Sequence, residues 1–162
     1  MPILRSRKFF AILIMMVGLA ACGFTPVYGT GSETGEILSD IHVTAPNNRQ
    51  EYLLVRNLEE QLGRNSSAQH VLRYNISLSE QGLGLTGASR VHVLGSVSYQ
   101  LVSQDSGQVI ASGLVDSFTA FYVKDRLSES AQRDATDRLM KILADKLITD
   151  LSLKIVDRKS VV

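Results

Sequence analysis

The chain has no tryptophan, a single cysteine and only three prolines in 162 residues. One cysteine excludes an internal disulfide, and a lone thiol in an exported chain calls for another use. Aromatic residues make up 6% of the chain, too few for a base-stacking platform. An excess of either charge is also missing: 17 basic side chains stand against 16 acidic ones, whereas a nucleic-acid-binding domain would be markedly basic. His42, His70 and His92 lack metal-ligand spacing, and no G-x-S-x-G nucleophile elbow occurs. No set of residues assembles into an acid–base, nucleophilic or metal centre, so the composition and motifs argue against an enzyme.

What is present begins at the N-terminus. Arg5, Arg7 and Lys8 open the chain without an acidic neighbour, and Phe9 to Leu19 is an apolar run of eleven residues. A bilayer-spanning helix needs about 20, so the run reads as the core of an export signal rather than an uncleaved membrane helix. Leu19-Ala20-Ala21-Cys22 ends it in lipobox form, a branched apolar residue and two small ones before a cysteine. The small side chains let a peptidase grip an extended backbone, and the thiol can be alkylated before cleavage. Residues 1–21 are therefore expected to be a lipoprotein signal peptide, with Cys22 the lipidated first residue of the mature chain. Two or more acyl chains make such anchoring stable, at about 0.8 kcal/mol per buried CH₂. Removing the signal takes three basic residues and leaves 141 residues carrying a net charge of −2, enough for one domain with its own core.

Residues 22–36 read as lipidated N-terminus and flexible tether, the Gly/Ser/Thr-rich Thr30 to Glu36 closing it. The folded domain is expected over 37–156 and a frayed tail over 157–162. Ile37, Ile41 and Val43 share one parity, which predicts a first strand from Ile37 to Thr44. Pro46 stops it; Asn48 with Glu51 three residues on forms a capping-box signal. Leu54, Leu58 and Leu62 then place one apolar stripe on a helix that Gly63 ends. Leu72, Tyr74, Ile76 and Leu78 alternate with Arg73, Asn75, Ser77 and Ser79, the pattern of a half-exposed second strand. A glycine-rich loop over 80–89 leads to a third strand with Val91, Val93, Gly95, Val97, Tyr99 and Leu101 in phase. Gln104-Asp105-Ser106-Gly107 is a hairpin turn. The fourth strand, Val109 to Val123, is interrupted by Gly113 and Asp116-Ser117, where a bulge is expected. Ala135, Leu139, Leu143, Leu147 and Leu151 then mark a long helix from Ser128 to Val156, ~42 Å at 1.5 Å per residue. The order β-α-β-β-β-α predicts an α+β fold, a two-layer sandwich of a four-stranded mixed sheet with two helices on one face.

Gly82-Leu83-Gly84-Leu85-Thr86-Gly87 matches the G-x-G-x-x-G dinucleotide pattern, but that chemistry needs a helix N-terminus after the glycines. Here Arg90-Val91-His92-Val93 follows with strand alternation, so nucleotide binding is excluded. Leu83 and Leu85, apolar residues on a polar loop, are instead candidate partner contacts. Lys124 and Arg126 lie beyond the fourth strand, and hairpin pairing would bring Arg90 to the same end of the sheet. Gathered cations can hold an anionic ligand by charge-assisted hydrogen bonds; solvated surface charge is the alternative.

The lipobox runs directly into Cys22-Gly23-Phe24-Thr25-Pro26-Val27-Tyr28-Gly29. This Cys-Gly-Phe-x-Pro-x-Tyr-Gly start resembles the mature N-terminus of the LptE family of lipopolysaccharide-assembly lipoproteins. The resemblance implies a four-stranded sheet with two helices and no catalysis. It also implies no cofactor beyond a covalent diacylglyceryl group and an N-acyl chain, such as palmitate, on Cys22. It implies residence at the periplasmic face of a Gram-negative outer membrane, consistent with Gly23 rather than Asp after the cysteine. Its implied partner is the β-barrel LptD, whose lumen such lipoproteins plug and whose assembly and lipopolysaccharide delivery they support. Arg90, Lys124 and Arg126 would then face a lipid A phosphate. The alternative is a lipid-anchored periplasmic protein that binds a small apolar or anionic lipid without a barrel.

Overall fold

A computed structural model describes residues 33–83, 89–123 and 128–160. The signal peptide, Cys22, the tether up to residue 32, Leu85, Lys124 and Arg126 lie outside these residues. In chain order the elements are α1 (Glu33–Ser39), β1 (Ile41–Val43), α2 (Arg49–Leu62), β2 (His70–Leu83), β3 (Ser89–Ser103), β4 (Val109–Val123) and α3 (Ser128–Ser160).

The first element corrects the sequence reading. Residues 33–36 of the expected tether and Ile37 of the expected strand form α1. Strict alternation from Ile37 would put Leu38 on the wet side, yet Leu38 is buried, on a helix that packs against α3. Asp40 then ends the turn. Its backbone N–H donates to the Glu36 and Ile37 carbonyls, both at 3.1 Å, and its carboxylate accepts from the Gln69 backbone N–H. β1 therefore has room only for Ile41 to Val43.

The helix start of α2 forms as its sequence predicts. Asn48 Oδ1 accepts from the Glu51 N–H at 2.9 Å, and the Glu51 carboxylate accepts from Asn48 Nδ2 and the Asn47 N–H, each at 2.8 Å. One orphan donor of the first turn, the Glu51 N–H, is thereby satisfied, and the Glu51 carboxylate reaches back to tie down the two asparagines before the helix. Gly63, at φ +82°, closes the helix in a conformation that side chains avoid.

The sheet has four strands in the order β1-β2-β3-β4; β1 runs parallel to β2, and the other two pairs are antiparallel. β2 and β3 run on beyond the expected ends, with Gly82 paired to Val91 and Leu83 to Arg90. The glycine-rich connection thus shortens to residues 84–88. The expected bulge at Gly113 and Asp116-Ser117 is absent there. Register slips instead between Leu101 and Val102, where Ile110 is the extra residue beside the hairpin turn, and Tyr99–Gly113 and Ser96–Asp116 pair regularly.

Helices cover one face. α3 lies over β4 and β3, and α2 packs beside it against α3 and β1. Leu54, Leu58, Leu72, Leu101, Leu139, Leu143, Leu147 and Leu151 are fully buried in one core. Each such side chain contributes ~1.5–3 kcal/mol relative to exposure, so the leucine stripe of α3 is its main attachment. α3 continues through the expected tail to Ser160, about 50 Å at 1.5 Å per residue. Gly95 lets it sit close: a Cβ there would come within 3.0 Å of methyl groups of Leu139, Leu143 and Leu78.

Candidate functional site

The face that the helices leave open is built by outward parities of three strands. At the hairpin-turn end Arg73, Gln100 and Ser112 line up across β2, β3 and β4, followed by Asn75, Ser98 and Leu114 and by Ser77, Ser96 and Asp116. A shallow dent at this end is lined by Arg73, Asn75, Ser98, Gln100 and Ser112. This half is polar.

The other half is apolar. Leu94 stands opposite Phe118, and Arg90 opposite Tyr122. Phe118 and Tyr122 are 58% and 63% exposed, far more than a core aromatic would be. The His92 ring stacks on Phe118 with centroids 5.3 Å apart and planes at 24°. His92 Nε2 is buried and has no hydrogen-bond partner among the described residues. The Arg90 guanidinium lies 5.8 Å from the Tyr122 ring centroid, within cation–π reach.

Register thus brings Arg90 beside the last residues of β4, as hairpin pairing requires, and Leu83 pairs with Arg90 on the other side. The structure therefore gives Arg90 and the Leu83 backbone one end of the sheet. Lys124, Arg126 and Leu85 belong to connections outside the described residues. The exposed cluster of Leu94, Phe118 and Tyr122 was not among the sequence-derived candidates. The signal existed: Leu114, Phe118 and Tyr122 recur every fourth residue on a strand, hence on one face. The polar interruptions of β4 obscured that parity.

A second polar arrangement lies between sheet and α3. Tyr99 donates from its hydroxyl to Asp150 Oδ2 at 2.6 Å, and Lys154 Nζ pairs with the same oxygen at 2.9 Å. Lys154 Nζ also lies 5.5 Å from the Tyr99 ring centroid. Gly113 makes this possible, because a Cβ there would meet Asp150, Lys154 and Tyr99 together. Burial, and then the bond to Asp150, push the Tyr99 hydroxyl pKa up. Burial also pushes the Asp150 carboxyl upward, but hydrogen bonds from Tyr99 and Lys154 and the lysine charge outweigh it and hold it low. A carboxylate kept ionised by two donors is a structural tie between α3 and β3. Nearer the start of α2, burial and the Glu51 charge push Tyr74 up to about 12.

Comparison with known proteins places this architecture. No curated protein matches the chain. Among solved structures, a Caulobacter crescentus CB15 protein designated a lipoprotein superposes with a TM-score of 0.64 at 25% identity, covering 77% of this chain and 96% of that one. A minor lipoprotein of Acinetobacter baumannii gives 0.53 at 14% identity, over 70% and 90% of the two chains. Rare lipoprotein B of Shewanella oneidensis gives 0.50 at 13% identity, over 74% and 96%. These last two likenesses speak for the fold alone. The model of the LptE lipopolysaccharide-assembly family matches residues 38–151, a span that holds all four strands, α2 and most of α3. With more than two thirds of its length matched and the expected sandwich in place, the chain belongs to the LptE family of lipopolysaccharide-assembly lipoproteins.

Proposed function

We propose that this LptE-family lipoprotein is anchored through Cys22 to the periplasmic face of the outer membrane. There it seats in the lumen of the LptD β-barrel, supports the barrel's assembly and assists passage of lipopolysaccharide to the cell surface. The observation that carries this reading is the family match over residues 38–151, which holds all four strands, α2 and most of α3. The family is non-catalytic, and the work proposed here is correspondingly binding and support, with no bond made or broken.

The geometry fits a plug. A barrel lumen is wet and polar, and the open sheet face offers Arg73, Asn75, Ser77, Ser98 and Gln100 over one half of its area. The buried leucine core gives a stiff body that can template a partner without deforming. Arg90, with Lys124 and Arg126 in the adjoining connection, is proposed to hold an anionic lipid A phosphate by charge-assisted hydrogen bonds. Leu83 and Leu85 are proposed to touch the partner at that end.

Mild detergent extraction of outer membranes, followed by affinity isolation of the tagged protein, tests the reading. LptD should be recovered in stoichiometric amount. Recovery of the lipoprotein alone, or with only a small lipid, would favour a lipid-binding protein with no barrel. Mass spectrometry of the mature N-terminus should find the diacylglyceryl and N-acyl groups on Cys22; a bare thiol would remove the anchor.

A further inference from the structure

β4 is an edge strand, with β3 on one side and no neighbour on the other among the described residues. Pairing fixes which of its backbone groups face outward. The Ser103 N–H donates to the Gln108 carbonyl, and the Ser103 carbonyl accepts from the Gly107 N–H, each at 2.9 Å. Odd-numbered residues of β3 therefore turn their backbone groups toward β4. On the opposite side, the Gln104 N–H donates to the Gln69 carbonyl at 2.8 Å, so even-numbered residues serve β2. Leu101–Ala111, Tyr99–Gly113 and Val97–Val115 are then the hydrogen-bonded pairs. Even-numbered residues of β4, from Ser112 to Tyr122, aim their N–H and C=O groups off the sheet.

Two of those outward carbonyls are occupied. Lys154 Nζ donates to the Ser112 carbonyl at 2.6 Å, and Lys146 Nζ to the Asp116 carbonyl at 2.8 Å. An incoming strand would have to displace an ammonium group from each acceptor it needs, the kind of guard that edge strands use against pairing. Past Asp116 the guard stops. Among the described residues Phe118, Ala120 and Tyr122 make no backbone hydrogen bond off the edge, and the exposed Phe118 and Tyr122 side chains flank the gap.

We infer that the β4 edge is half closed by Lys146 and Lys154 and half open at Phe118–Tyr122. The open half is a docking edge for a short extended segment of another polypeptide, which adds to the sheet through main-chain hydrogen bonds. An apolar side chain of that segment would rest on Phe118, Leu94 and Tyr122. A second copy of this chain fits poorly. A two-fold pairing about Ala120 would engage three outward residues per copy before reaching the Lys146 guard. Three residues a side are far fewer than the roughly 20–30 a side of a stable association. So short a strand suffices when its parent chain is already held by other contacts. The barrel partner proposed above is such a chain, and the inference rests on that reading.

Proline at an outward position deletes an edge donor without removing a bond to β3. The full-length tagged lipoprotein would be expressed with LptD as wild type, Ala120→Pro and Leu114→Pro, and barrel recovery per lipoprotein measured over rising salt. Ala120→Pro should lower recovery at least five-fold, and Leu114→Pro, between the two guards, should match wild type. Wild-type recovery by Ala120→Pro, or equal loss in both variants, overturns the edge and leaves the barrel reading standing. Absence of barrel from the wild type itself overturns both. Loss of a cross-linked homodimer in Ala120→Pro, with barrel recovery unchanged, would assign the edge to a second copy and overturn the partner named here. Should circular dichroism find Ala120→Pro unfolded, a photo-cross-linking phenylalanine derivative in place of Phe118 decides the matter. It should join the barrel on irradiation, and failure to do so overturns the proposal.

Discussion

Replacing Gly113 by alanine tests the packing of α3 on the sheet at its tightest point. The backbone of Gly113 is ordinary strand, since positive φ among the described glycines is confined to Gly63 and Gly107, so the cost of a methyl group is one of contact. That methyl would meet the Asp150 carboxylate and would lie 2.5 Å from Lys154 Nζ and 2.7 Å from the edge of the Tyr99 ring. Lys154 is half exposed and can swing away. Tyr99 is buried and fixed by its neighbours, so either the ring or Asp150 must shift. Overpacking of this kind costs ~1–3 kcal/mol. Loss of the Tyr99–Asp150 bond, whose acceptor is charged, adds ~1.5–3 kcal/mol, against ~0.4–1 kcal/mol returned by the stiffer unfolded chain. The net expectation is a loss of about 2–5 kcal/mol, a large share of a domain's ~5–15 kcal/mol. Urea denaturation of the soluble mature domain measures it. A double-mutant cycle with Tyr99→Phe identifies the cause: without the hydroxyl, Gly113→Ala has no bond left to break, and the two costs should fall short of additivity by about 1 kcal/mol or more. The reasoning fails if Gly113→Ala melts within about 0.5 kcal/mol of wild type, or if the two costs simply add.

Further outcomes follow from the same contacts. Asn48→Ala removes the cap on the Glu51 N–H and should cost ~1 kcal/mol, whereas Asn48→Asp keeps an acceptor; equal melting temperatures for wild type and alanine variant would contradict this. Tyr74 has a folded pKa of about 12, above its ordinary value of 10.0, so its contribution is complete below pH 10 and is lost as pH rises toward 12. Tyr74→Phe should therefore lose less stability than wild type over that interval, which a series of denaturation midpoints measures. Asp150 is held low, so its contribution is present above the ordinary carboxylate range and lost as pH falls through the depressed value; Asp150→Asn should flatten the acid limb of the stability curve. Substituting Arg90, Lys124 and Arg126 together by glutamine should weaken lipopolysaccharide binding in a pull-down while leaving the circular dichroism unchanged, and undiminished binding would remove the cationic site.

The elements legible in advance were those whose signal is local. The Asn48–Glu51 cap, the alternation of Leu72 to Ser79, the Gln104–Gly107 turn and the leucines of α3 each state a period or a hydrogen bond within a few residues. α1 was hidden because seven residues hold barely two turns, too few for a helical period to outweigh the parity of Ile37, Ile41 and Val43. The bulge was expected at polar residues inside β4, but the strand keeps register there: Asp116 points to the wet face, and Ser117 is small enough to sit half-buried on the helix side opposite Gly95. Ile110 became the extra residue because the turn beside it decides how β3 and β4 begin to pair. Of the candidate site, Arg90 could be placed from hairpin geometry, whereas the Leu94–Phe118–Tyr122 cluster depends on register between two strands.

The amino-acid sequence by itself determined the lipobox at Cys22, the class of the fold and the family to which the chain belongs. It could do so because side-chain size, hydropathy period and capping chemistry act over short stretches of chain. Only the tertiary structure decided that β4 lies at the edge, that Lys146 and Lys154 reach its outward carbonyls, and that Gly113 leaves space for Tyr99, Asp150 and Lys154. Those facts join residues as far apart in the chain as Tyr99 and Lys154. Such distances are set by how the long helix lies across the sheet, a property of the packed core that no local period records.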